Sequence, residues 1–145
     1  QAVEAGRRVT ASGMKLSMMI ILGLAGAEGS ERHALATAKA INIIKPTHLS
    51  ALCLMLYRGS ELLDQYEAGK FNPLSPAGLM RELKLIIENI DLPADRHCLF
   101  RSNHVSNYVQ LAATLPHDKQ RLLRDIDYSI AQLSKLKSWD VYNHN

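Results

Sequence analysis

Apolar and polar positions change period several times along the chain, and each change marks an element. Residues 1–12 set Val3 and Val9, with the small Ala2 and Ala5, among polar neighbours. This predicts the tail of an amphipathic helix stopped at Gly13. Lys15 to Leu22 is nearly continuous in apolar residues and ends at Gly23, as a parallel strand covered on both faces does. A small-residue loop over 24–29 leads to Ser30, a candidate N-cap, with Glu31 in the first turn. Ala34, Ala38, Ile41 and Ile44 then repeat at helical spacing until Lys45-Pro46 stops the helix. His48 to Tyr57 reads as a second buried strand, closed by Arg58-Gly59. Strand, helix and strand in this order predict one βαβ unit, its two strands parallel and its crossover right-handed.

From Ser60 the pattern turns helical. Glu61 to Ala68 predicts a short helix ended by Gly69, and Phe71 to Leu74 a connector. Ser75-Pro76 pairs an N-cap with a proline at the first helical position. The helix that follows carries Leu79, Leu83, Ile86, Ile87 and Ile90 on one face and stops at Asp91-Leu-Pro93. Asp95 to Phe100 fits a short strand, Ser102 to Tyr108 a polar loop or helix start, and Pro116 to Lys137 a final helix. The last helix is striped with Leu122, Leu123, Ile126, Ile130, Leu133 and Leu136. The pattern divides the chain into an α/β part over 1–70 and a mainly helical extension over 71–145. Two parallel strands alone leave two open sheet edges. The expectation is that a piece is missing on the N-terminal side, and that an exposed strand edge supports a homo-oligomer.

Composition narrows the function classes. The 145 residues suit one domain with a real core. Lys plus Arg number 17 against 14 for Asp plus Glu, a formal charge of +3. So small a surplus does not mark a nucleic-acid binder. No run approaches the roughly 20 apolar residues of a membrane span, and no signal peptide is evident; a cytoplasmic location is expected. Two cysteines, Cys53 and Cys98, cannot form a four-thiolate zinc site or the three-thiolate anchor of an iron–sulfur cluster. Their apolar surroundings predict buried, reduced thiols.

Several segments resemble a known family. Ile20-Ile-Leu-Gly-Leu-Ala-Gly26, followed by an acidic residue and a helix with Glu31 and His33, is similar to the fifth strand and exit turn of a radical S-adenosylmethionine enzyme barrel. The helix over residues 1–12 resembles the one before that strand. Leu54-Met-Leu-Tyr-Arg-Gly-Ser-Glu-Leu62 resembles the sixth strand and its exit. Phe100-Arg-Ser-Asn-His-Val-Ser-Asn-Tyr108, then Thr114-Leu-Pro-His-Asp-Lys119, is similar to the C-terminal segment of an iron–sulfur oxidoreductase subgroup. The resemblance implies an α/β fold forming the C-terminal part of a TIM-like partial barrel, about two parallel strands, with a helical extension. It implies a parent that cleaves S-adenosylmethionine reductively at a 4Fe–4S cluster to start radical chemistry. The family's Cys-x-x-x-Cys-x-x-Cys motif has no counterpart here. This chain alone is therefore expected to be inactive, to bind neither cofactor, and to need the missing N-terminal barrel half as partner.

For the site residues the resemblance implies Gly23, Ile21 and Leu22 on the adenine side of S-adenosylmethionine, and His104 and Asn107 towards the substrate opening. The residues themselves leave other readings open. Gly23 suits a plain turn, Ile21 and Leu22 suit a core, and the polar run Ser102 to Asn107 suits a loop bonded to its own backbone. Glu28, Glu31 and His33 read as capping and solvated residues rather than metal ligands, because Glu31 and His33 diverge on a helix. Lys119, Arg121 and Arg124 alternate with Asp118 and Asp125 as on a solvated face. The alternative function is a complete small α+β or helical protein-interaction module without catalysis.

Overall fold

The structure is a computed structural model, and it describes residues 1–135. Its strands are β1 (Ser17–Leu22), β2 (His48–Cys53), β3 (Cys98–Ser102) and β4 (Leu111–Leu115). Its helices are α1 (Ala2–Ala11), α2 (Gly26–Ile44), α3 (Glu61–Glu67), α4 (Pro76–Asn89) and α5 (Lys119–Leu133). The strands form one sheet in the order β1-β2-β3-β4. β1, β2 and β3 run parallel, and β4 turns back antiparallel on β3. The fold is α/β with a mixed sheet.

The predicted βαβ unit forms with the register Ser17↔His48 to Leu22↔Cys53. Two further strands correct the two-strand expectation, and both lie in the stretch read as mainly helical. β3 starts three residues after Asp95, at Cys98, and runs two residues past Phe100, to Ser102. β4 went unread because Leu111-Ala-Ala-Thr-Leu115 is short and has alanine at its centre. Its alternation of buried and open positions depends on pairing with β3, not on strong local β propensity. At β2 the sheet ends at Cys53, and the apolar residues up to Tyr57 leave it. The last helix starts at Lys119 instead of Pro116; its expected end at Leu136-Lys137 lies outside the described residues.

Side-chain alternation gives the sheet two unlike faces. One face carries Ile20, Leu22, Leu49, Ala51, Phe100, Ala113 and Leu115 into a core shared with α2, α4 and α5. α4 supplies the centre of that core with Leu79, Met80, Leu83, Ile86 and Ile87. Its start is held as the sequence predicts: Ser75 Oγ accepts from the Gly78 N–H at 3.1 Å, beside Pro76 in the first turn. Its last carbonyls, on Glu88 and Ile90, receive the Lys119 ammonium at 2.9 and 2.7 Å, as suits the negative end of a helix. The other face holds Met19 and Ile21, and among the described residues no helix lies over them; Met19 is 71% exposed.

The two sheet edges are also unlike. On β4 the Thr114 N–H donates to Asp118 Oδ2 at 2.8 Å, and the Asp118 N–H returns a bond to the Thr114 carbonyl at 2.8 Å. Arg121 Nη2 donates to the Ala112 carbonyl at 3.1 Å. The backbone bond from Thr114, then Arg121, holds the Asp118 carboxyl below its ordinary range. Among the described residues the β1 edge has no such cover. The packing predicts that Phe100→Ala costs about 3–5 kcal/mol in urea unfolding, through a cavity at the centre of the core. Met19→Ala on the bare face should stay within about 0.5 kcal/mol. Comparable losses from both substitutions would contradict the two-faced sheet.

Candidate functional site at the carboxyl ends of the strands

Three parallel strands ending on one rim bring their exit segments together, and that rim is where α/β sheets hold ligands. Here the segments follow Leu22, Cys53 and Ser102. Two polar assemblies organise them.

The first is built on Glu82 of α4, which is 2% exposed within an otherwise apolar face. Its Oε1 accepts the Gly23 N–H at 2.8 Å and meets His33 Nδ1 at 3.1 Å, while Ser30 Oγ donates to Oε2. A buried carboxylate is tolerable when its lone pairs are met in this way. Gly23 has φ +81°, and a Cβ there would lie 2.7 Å from Leu79 Cδ2. Conformation and packing together require glycine. Ser30 does not cap α2, which starts four residues earlier at Gly26; its hydroxyl serves Glu82 instead. His33, its Nδ1 at Glu82, also lines a groove beside β1.

The second assembly is built on Asn107. β2 and β3 pair only from His48↔Leu99 to Ser50↔Arg101, so the Ala51 carbonyl and the Cys53 N–H lack strand partners on that side. The Asn107 amide takes their place. Nδ2 donates to the Ala51 carbonyl and to Ser102 Oγ, both at 2.7 Å, and Oδ1 accepts the Cys53 N–H at 2.9 Å. Side-chain amides have the donors and acceptor to mimic a peptide group. Ser106 Oγ also receives the Cys53 N–H, at 3.2 Å, and lies 2.8 Å from His104 Nδ1. The polar run that follows β3 is thus a loop bonded to backbone.

Between these assemblies lies an open cavity of about 180 Å³, walled by Ile21, Leu52, Cys53, Met55, Tyr57 and His104. Its lining is mostly apolar, with the His104 imidazole and the Ser106 and Tyr57 hydroxyls among its polar groups. Of the residues singled out in the sequence, Ile21 lines this cavity and His104 stands on its rim. Leu22 points the opposite way, fully buried under the helices. Gly23 is buried, and its N–H is used by Glu82. Asn107 is half-buried and occupied with backbone. Glu28 is exposed and accepts from Asn72 Nδ2 at 3.3 Å. Sequence reading missed Glu82. An acidic residue three positions after Leu79 and one before Leu83, inside the apolar stripe of α4, was the available signal.

No protein-family profile and no curated protein matches the sequence. Among the described residues no group of three or more His, Cys, Asp or Glu is placed to hold a metal ion, and no helix is long and apolar enough to cross a membrane.

Burial pushes the thiols of Cys53 and Cys98 up to about 11, from an ordinary value near 9.0. Both are free and buried. A neutral acid whose folded pKa is raised favours the folded state below its unfolded pKa, and the benefit disappears as pH rises through the folded value. Stability is therefore expected to fall between pH 9 and 11 more steeply in the native chain than in a Cys53→Ala, Cys98→Ala double variant. Chemical denaturation across that range checks it, and parallel curves would contradict buried thiols.

Proposed function

We propose that this chain is the later part of a radical S-adenosylmethionine barrel and contributes its wall and rim, not the radical-generating centre. One observation supports this reading above the others. Three parallel strands carry helices on one face only, while the bare face presents Met19 and Ile21 and the exit segments meet at a cavity. In a TIM-like barrel the helices lie outside, the opposite face is interior, and ligands enter at the carboxyl ends of the strands. The sheet then corresponds to part of such a barrel, with β4 and α5 as its extension.

The residues present do not fit a 4Fe–4S cluster. The chain has two cysteines, both buried and held protonated near neutral pH, and the family's cluster uses three thiolates. No reaction step is placed on this chain. Its own contributions are steric and positional. Ile21 forms apolar wall on the adenine side of S-adenosylmethionine, and Glu82 fixes the Gly23 turn beside it. His104 offers an imidazole at the substrate rim, and Asn107 holds the loop that carries it. Leu22 acts from behind, as core. A cytoplasmic iron–sulfur oxidoreductase is the whole enzyme this reading implies.

In the isotope-labelled chain, a separately supplied polypeptide carrying the Cys-x-x-x-Cys-x-x-Cys barrel half should shift the amide signals of Ile21 and its β1 neighbours and leave those of α5 in place, whereas S-adenosylmethionine alone should shift none. Ile21→Arg should remove the shifts. Anaerobic reconstitution with iron and sulfide should give no cluster absorbance and no cleavage of S-adenosylmethionine. An unperturbed Ile21, or a cluster assembled on this chain, would count against the proposal.

A further inference from the structure

Backbone direction along β1 can be read from its bonds to β2. The carbonyls of Leu16 and Leu22 accept the N–H groups of His48 and Leu54, so the even-numbered residues of β1 face β2 in the parallel ladder. The N–H and C=O groups of Ser17, Met19 and Ile21 point away, to the free edge, and have no hydrogen-bond partner among the described residues. β4, at the far edge, has the Ala112 carbonyl bonded by Arg121 and both the N–H and the carbonyl of Thr114 bonded by Asp118. Proteins usually blunt an edge with charge, proline or a bulge. Ser-Met-Met-Ile-Ile-Leu has no charge or proline, and its pairing with β2 runs without a bulge. Beside it runs a groove of about 400 Å³ between β1 and α2. Its helix side is made of His33 and the small residues Ala36, Thr37 and Ala40.

We infer that two copies of this chain join edge to edge through β1, antiparallel about a two-fold axis centred on Met19. Unpaired peptide groups call for a strand, and the following geometry makes a second copy fit. Antiparallel neighbours must pair residues whose groups face each other and whose side chains share a face. Met19 opposite Met19 and Ser17 opposite Ile21 satisfy both conditions. Every outward N–H and C=O of these residues then finds a mate. The exposed Met19 and Ile21 side chains of the two copies gather on one face.

Charge agrees with this orientation. Lys15 of one copy comes opposite Gly23 of the other, at the end where Glu28 and Glu31 outnumber Arg32 on the exposed start of α2. A two-fold contact of this kind closes on itself. The inference does not rest on the barrel reading: a longer chain with a preceding barrel strand would fill the same groups from within.

Sedimentation equilibrium of the 145-residue chain should show a dimer. Met19→Pro is the informative variant, because the N–H it removes points to the free edge and not to β2. It should retain the native circular dichroism and weaken dimerisation at least tenfold, as should Met19→Lys. Met19→Cys should cross-link to itself under mild oxidation, since residues facing each other in such a pair bring their Cα atoms to about 5.5 Å. Ile20→Cys, facing β2, should not. A native chain that stays monomeric at all concentrations would overturn the inference. So would a dimer unaffected by folded Met19→Pro, or one in which Met19→Cys fails to cross-link.

Discussion

A single buried carboxylate ties together the end of this molecule that carries its cavity. Glu82 extends from α4 to the Gly23 N–H, Ser30 and His33, and so joins the exit of β1, the first turns of α2 and the central helix. Apolar contacts bring α4 over the sheet, but they are non-directional and leave the turn after β1 unspecified. The directional bonds to Glu82 specify it. Removing their acceptor would leave buried donors without partners, a larger penalty than the net value of one hydrogen bond. The turn also needs Gly23, because Leu79 occupies the space a side chain would take. Glu82 and Leu79, one turn apart on α4, thus set the polar and steric halves of the same corner.

Side chains also finish what the strands leave incomplete. β2 and β3 diverge toward the cavity, and Asn107 bridges them where a peptide group would have stood. Past β4, Asp118 and Arg121 serve the outer edge. These side-chain bonds explain how short strands stay held at the ends where the chain leaves them as irregular loops. Among the described residues they leave β1 as the edge strand whose outward peptide groups all lack partners. The bare face and the bare edge meet along that strand, with Met19 on both.

Much of the architecture was legible because local signals agreed with the final packing. The βαβ unit followed from two apolar runs around a periodic helix, and α4 from Ser75-Pro76 and its stripe. Where local and tertiary determinants part, the reading failed. β4 looks like nothing in isolation, because alanines carry little β preference and only β3 defines its register. Ser30 looks like a cap by type and position, yet its hydroxyl answers to a residue 52 positions away. The apolar run after Cys53 promised more strand than the sheet holds, since those residues line a cavity instead. Of the residues singled out in the sequence, Ile21 and His104 line the cavity; Leu22 is separated from Ile21 only by the alternation of the strand. Glu82 stood in plain view as an acid within an apolar stripe, but its partners are distant in sequence.

The barrel reading and the structural account meet at the β1 exit, where Ile21 faces the cavity and the Glu82 corner supports it from behind. The direct measurement is unfolding free energy together with amide exchange at Gly23 in Glu82→Ala and Glu82→Gln. The account predicts that Glu82→Ala loses about 2–4 kcal/mol, from the buried donors it orphans, and greatly speeds exchange at Gly23. Glu82→Gln, which keeps an acceptor, should lose less. If Glu82→Ala unfolds within about 0.5 kcal/mol of the native chain, as an incidental surface change would, and Gly23 stays protected, then Glu82 does not organise this end of the fold.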